Sequence, residues 1–239
     1  MRNIKFTIEY DGTDFHGWQA QPELRTVQGE IEKALQQLLQ EPVRINGAGR
    51  TDQGVHALGQ VANCSVLSSM KLEQIRSGLN ALTPAQIYTR SIAEVPADFH
   101  GRFSARSKIY RYQIIWEPSP CRLRYNWYIP YKLDLVSIQD AMPLFIGNKD
   151  FKYFSVSNGK ENTLCTIFDI SLTQDESQLI IKIEGDRFLR KMVRGIVGFL
   201  HDIGRGRFTL EDVPGAFTGT VKDMFFTPPQ GLFLTEVRY

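Results

Sequence analysis

The chain has 239 residues, 42% of them hydrophobic, and a formal net charge of +2, which suits one large domain or two half-size ones and excludes a disordered chain. No stretch approaches the roughly 20 apolar residues of a membrane span and the N-terminus lacks a secretory signal, so a cytoplasmic protein away from membranes is expected. Cys64, Cys121 and Cys165 are odd in number and lack C-x-x-C spacing, and His16, His56, His100 and His201 lack H-x-x-x-H spacing, so reduced, buried thiols and no metal are expected.

In chain order, Ile4, Phe6, Ile8 and Tyr10 alternate as a strand, and TVQGEIEKALQQLLQ repeats apolar residues at helical spacing behind a Thr26 cap. Val43 to Ile45 and Gly59 to Val66 read as strands flanking a glycine-rich loop, Leu72 to Leu82 as a helix, and Gln86 to Ala93 as a strand. That order, β-α-β-β-α-β, is the ferredoxin-like unit. The second half looks similar with decorations: a strand at Lys108 to Ile115, a helix near Ser137 to Phe145, and strands at Leu164 to Leu172 and Leu179 to Glu184. A helix from Phe188 to Ile203 follows, and GLFLTEVRY closes the chain as a strand. The segments Val95 to Phe103 and WEPSPCRLRYNW read as linkers.

The loop INGAGRTDQG, beginning at Ile45, is the densest local signal. Gly47-Ala48-Gly49 starts like a dinucleotide fingerprint, but position 52 is Asp where that pattern needs its third glycine, and a strand follows where it needs a helix. A phosphate-cradling loop would need Gly-Lys-Ser/Thr, and an acid inside it would repel phosphate. Two roles remain for Asp52. One is a turn aspartate capping nearby amides; the other is a carboxylate held beside Arg50 on a rigid strand-to-strand connection, as nucleophile or base.

The small net charge hides clustering. Arg102, Arg106, Lys108 and Arg111 lie in HGRFSARSKIYRY without an acid, Arg187, Arg190, Lys191 and Arg194 crowd GDRFLRKMVRG, and Arg205 with Arg207 and Arg122 with Arg124 follow the same habit. Each cluster alone reads as a solvated face, whereas four of them interleaved with aromatics point towards phosphate binding.

The segment GAGRTDQGVHALGQV resembles the signature of TruA-type tRNA pseudouridine synthases, whose catalytic aspartate lies in Gly-Arg-Thr-Asp-x-Gly-Val-His-Ala. Further segments that are similar to this family span nearly the whole chain: YDGTDFHGWQAQP, TVQGEIEKAL, FHGRFSARSKIYRY, FLRKMVRGIVGFL and TPPQGLFLTEVRY. Gln53 stands where alanine is most often seen, and Arg190-Lys191 precedes Met-Val-Arg where some members differ, so no role is carried over to that pair.

The resemblance implies an isomerase that needs no cofactor and no metal, acting on uridines 38, 39 and 40 of the tRNA anticodon stem-loop, as a homodimer. It implies Asp52 as the essential carboxylate and Arg194 as the positive partner that offsets its desolvation. Arg50 would fill the space left by a flipped uridine or hold the adjacent phosphate. Tyr110 would lie against the uracil, Leu232 would line the pocket, and His56 is read as structural. Strand alternation places Lys108 and Tyr112 on the face of Tyr110 and Arg111 on the other, so this strand would serve both pocket and phosphate surface. The expected fold is α/β of the α+β kind: two ferredoxin-like halves, residues 1–100 and 101–239, forming a mainly antiparallel sheet with a central catalytic cleft. A non-catalytic RNA-binding module ranks second, and it gives no reason for the Arg50, Asp52, Tyr110 and Arg194 set.

Overall fold

The computed structural model describes residues 1–156 and 162–239. In chain order these form β1 (Arg2–Tyr10), α1 (Val27–Leu39), β2 (Asn46–Gly47), β3 (His56–Val66), α2 (Leu72–Leu82) and β4 (Ile87–Val95). There follow β5 (Ser107–Ile115), β6 (Trp127–Tyr128), α3 (Leu135–Ala141), β7 (Gly147–Asp150), β8 (Leu164–Gln174), β9 (Gln178–Gly185), α4 (Met192–Gly204), α5 (Val213–Thr218) and β10 (Leu232–Arg238). Two compact units result, one of residues 1–106 with 233–239, the other of residues 107–232.

In the first unit β1 pairs antiparallel with β3 and β4, and β2 pairs antiparallel with β3. The order β4-β1-β3-β2 is that of a ferredoxin-like sheet. Phe233 and Leu234 of β10 join β3 in parallel beside His56 and Ala57, so the last residues of the chain belong with the first unit. The core of this unit includes Ile4, Phe6 and Ile8, which alternate onto one face of β1, with Val27, Ile31 and Leu35 of α1 and Ile75 and Leu79 of α2, all fully buried. Thr26 caps α1, its hydroxyl accepting the Gly29 amide at 3.3 Å.

The second unit is built on β5-β9-β8-β7, antiparallel throughout, with β6 added in parallel to β5. Phe145, Phe151, Phe154, Phe199 and Phe217 meet edge-on or tilted at centroid distances of 4.9 to 6.2 Å, tying α4 and α5 to the turns around β7. Mainly antiparallel pairing with helices makes both units α+β.

Four local expectations change. Val43 to Ile45 is not a strand: the Ile45 amide donates to the Glu32 carboxylate at 3.0 Å and its carbonyl accepts from the Gln28 amide at 3.2 Å, so side chains of α1 take the place of a ladder. The helix near Ser137 to Phe145 divides into α3 and a 3-10 turn over Met142–Phe145, because Pro143 has no N–H to continue it. The helix expected from Phe188 starts at Met192, since Lys191 stands in the left-handed region at φ 62°. Cys64 and Cys165 are buried, and burial pushes their thiols up to about 12 and about 11; Cys121 is exposed.

Candidate active site

In the first unit the loop from Gly47 to Val55 is held on several sides. Thr51 is the pivot: its hydroxyl meets the Tyr10 hydroxyl at 2.8 Å, and its carbonyl accepts the Trp18 amide at 3.1 Å. Beyond it the Val55 amide closes a turn on the Asp52 carbonyl at 3.1 Å. Upstream, the Ala48 amide donates to the Val61 carbonyl at 2.7 Å and the Gln60 side chain donates to the Gly49 carbonyl at 2.8 Å. Burial raises the Tyr10 phenol, so this hydroxyl stays a neutral bonding partner at physiological pH.

Asp52 is therefore half-buried on a fixed connection, with Arg50 exposed two residues before it. Gly12 lies directly against the turn, where a Cβ would overlap the Val55 carbonyl oxygen, and its amide donates to Nδ1 of the buried His56 at 3.1 Å. The His56 ring stacks on Phe233 at 4.7 Å. The supports Tyr10, Gly12, Trp18 and Gln60 were missed at the level of sequence. The signal available was YDGTDFHGW, whose glycines mark close backbone approach, but only tertiary contact shows what they approach.

In the second unit α4 buries every residue except Arg194. Arg194 is half-buried, and its Nε donates to the Thr227 carbonyl at 2.6 Å. Thr227 returns two bonds to the Arg194 carbonyl, from its amide at 3.2 Å and its hydroxyl at 3.3 Å. The next residue, Pro228, accepts from the Tyr112 hydroxyl at 2.8 Å, which ties this segment to β5. Burial raises the Tyr112 phenol, so Tyr112 is a neutral strut. Two residues before it on the strand, Tyr110 is buried with its ring edge-on to Phe188 at 5.0 Å. Leu232, buried at the start of β10, follows the short 3-10 turn Pro229–Gly231.

The structure thus brings Arg50 and Asp52 together on one loop of the first unit, and places Tyr110, Arg194 and Leu232 on braced elements of the second. One expectation for the basic strand changes. Lys108 is buried, and Arg111 is half-buried with its guanidinium pKa lowered by burial, so neither is an open phosphate contact; Arg102, Arg106, Arg124, Arg190, Arg205 and Arg207 are exposed. Among the described residues no group of three or more His, Cys, Asp or Glu is arranged to hold a metal ion, and no helix is long and apolar enough to cross a membrane.

Asp52 thus sits half-buried on a loop held through Thr51, Gly49 and Val55, a placement open both to turn capping and to nucleophilic or base chemistry. A model of the family described as tRNA pseudouridine synthase matches residues 7–104 and 141–239. A protein named tRNA pseudouridine synthase A from Geobacter sp. (strain M21) is 41% identical over 245 residues, covering 100% of this chain and 99% of its own. Its namesakes from Caldicellulosiruptor saccharolyticus and Chlorobium phaeovibrioides are 42% and 43% identical, with 100% of both chains covered. Among solved structures the chain is similar to the archaeal box H/ACA sRNP Nop10-Cbf5 complex at a TM-score of 0.35 and 11% identity, over 84% of this chain and 42% of that one, a likeness that carries no argument.

Proposed function

Because the chain belongs to the tRNA pseudouridine synthase family and is an isomerase, we propose that it converts uridines 38, 39 and 40 in the tRNA anticodon stem-loop to pseudouridine, with Asp52 as the catalytic carboxylate. The observation that carries the assignment is the support of Thr51 by Tyr10 and Trp18, which fixes the backbone that presents Asp52. The reaction breaks the bond from base N1 to the ribose anomeric carbon, turns the base and joins its C5 to that carbon, and the proton on C5 leaves to solvent. Asp52 begins it by attacking the anomeric carbon or by removing a ribose proton to give a glycal. Both routes need an ionised acid beside a base turned out of its stack. The experiment is tritium release from tRNA labelled at uracil C5. Isomerisation must expel that hydrogen and binding alone does not, so absence of release from a folded protein with bound tRNA would overturn the assignment.

Tyr110 is proposed to lie against the uracil, Leu232 to line its pocket, and Arg50 to occupy the space the base leaves or to hold its phosphate. Arg194 supplies fixed positive charge to the reacting centre. Arg194→Ala is expected to lower kcat by about 10²-fold while changing tRNA affinity much less, and Arg194→Lys should not restore it, because lysine lacks the Nε–H that bonds the Thr227 carbonyl. A loss confined to binding would make Arg194 a phosphate contact.

The exposed arginines support a phosphate-binding surface, so tRNA affinity is expected to fall by at least tenfold between 50 and 200 mM salt. A flat response in filter binding would remove that surface from the reading. The protein is proposed to work in the cytoplasm as a homodimer in which both subunits touch one tRNA, since one subunit is small beside an L-shaped RNA. Light scattering at micromolar concentration checks the assembly, and a fully active monomer would refute it.

A further inference from the structure

Apart from Met1, Phe103 is the most exposed large apolar side chain among the described residues, at 76%. An isolated exposed ring is ordinary on a loose loop, but this turn is built. The Ser104 amide donates to the His100 carbonyl at 2.9 Å and the His100 amide to the Ser104 hydroxyl at 3.0 Å. Nδ1 of His100 accepts the amides of Arg102 at 3.1 Å and Phe103 at 3.4 Å. At its base, the Gly101 amide donates to the Asn63 side chain at 2.8 Å and the Gly101 carbonyl accepts the Tyr239 hydroxyl at 2.7 Å.

The turn is also mounted on a functional element. A Cβ at Gly101 would lie 2.7 Å from the Asn46 carbonyl oxygen, so the turn packs on the β2–β3 pairing, and β2 runs straight into the loop that carries Arg50 and Asp52. The His100 ring lies 4.4 Å from the Phe103 ring, and the Arg102 guanidinium stands 5.7 Å from its centroid. Residues 99–111 contain no acid, and Arg102 and Arg106 are exposed. A fixed, open aromatic face with cations beside it has the chemistry that holds unstacked bases. A protein partner is the competing occupant, since aromatic and arginine side chains also favour protein interfaces, and sedimentation of the RNA-free protein separates the two.

We propose that Phe103, flanked by Arg102, is a stacking ledge for an unpaired base of the RNA substrate other than the uridine that reacts. The proposal rests on the tRNA reading above. It predicts a contribution to substrate affinity that depends on the π face and not on apolar bulk, with no part in bond making.

The test uses the full chain in an Asp52→Asn background and an unmodified tRNA transcript. In filter binding, Phe103→Ala and Phe103→Leu are expected to weaken affinity by about tenfold, and Phe103→Trp to bind as the parent does or tighter. In the active enzyme the Ala and Leu changes should raise KM by a similar factor and leave kcat unchanged. Because the ring is exposed, unfolding curves should not move. A Leu variant that binds like the parent, an Ala variant with no effect, or a loss in kcat alone would overturn the ledge. A change in sedimentation of RNA-free Phe103→Ala would show that a second copy of the chain covers the ring, which also overturns it. If the parent fails to bind the transcript, the tRNA reading itself falls; if it binds and the Phe103 variants are indifferent, only the ledge does.

Discussion

Asp52→Asn is expected to bind tRNA as the parent does and to lose turnover by about 10³-fold or more. The amide keeps the size and shape of the side chain but removes the charge that either reaction route requires. The bonds made by Thr51, Gly49 and Val55 remain available to the variant, and its unfolding curve checks that the fold is kept. Two measurements decide it together: tritium release from C5-labelled tRNA and filter binding of the same RNA. Release at the parental rate from a verified variant would remove Asp52 from the chemistry. Loss of binding and turnover in equal measure would make it a substrate anchor.

Much of this was legible in the sequence because it is local. Alternation at Ile4, Phe6 and Ile8, helical spacing behind Thr26, and the span Leu72–Leu82 each follow from a periodicity that short-range sterics impose, and the structure has those elements where the pattern puts them. Asp52 also stood out, since an acid among glycines excluded the phosphate loops it otherwise resembled.

What stayed hidden is non-local. Val43 to Ile45 has strand residues, yet Gln28 and Glu32, both buried in α1, take its backbone groups from across a loop. A pattern of apolar residues does not report which side chain will reach a main-chain amide 13 positions away. Lys108 looked like part of a basic surface because its neighbours in the chain are basic, but a strand with both faces covered buries even a lysine. Arg194 was read as partly buried from the apolar residues around it. Its exact hold, by the carbonyl of Thr227 33 residues later, needed coordinates.

The same distinction makes Gly12→Ala the second large expected effect, at a residue that takes no part in the chemistry. Gly12 follows β1 by two residues, and a methyl group there would overlap the Val55 carbonyl oxygen. Both sides of the clash are backbone, so no side chain moves aside to relieve it. The turn from Asp52 to Val55 must shift, or the end of β1 must, and the latter would strain the Gly12 amide bond to His56. A displacement of even about 1 Å at a catalytic group costs on the order of 10²-fold in rate, so kcat is expected to fall by about that factor. Stability should fall by about 1–3 kcal/mol, as for other steric insertions into packed backbone. Tyr10→Phe is the control. It removes the hydroxyl that meets Thr51, costs about 1–2 kcal/mol from one lost buried bond, and inserts nothing against the turn. Urea unfolding and single-turnover tritium release on both variants separate the two causes. If Gly12→Ala turns over at the parental rate, the close approach of Gly12 does not position Asp52; if only Tyr10→Phe is slow, the loop draws its geometry from the support of Thr51.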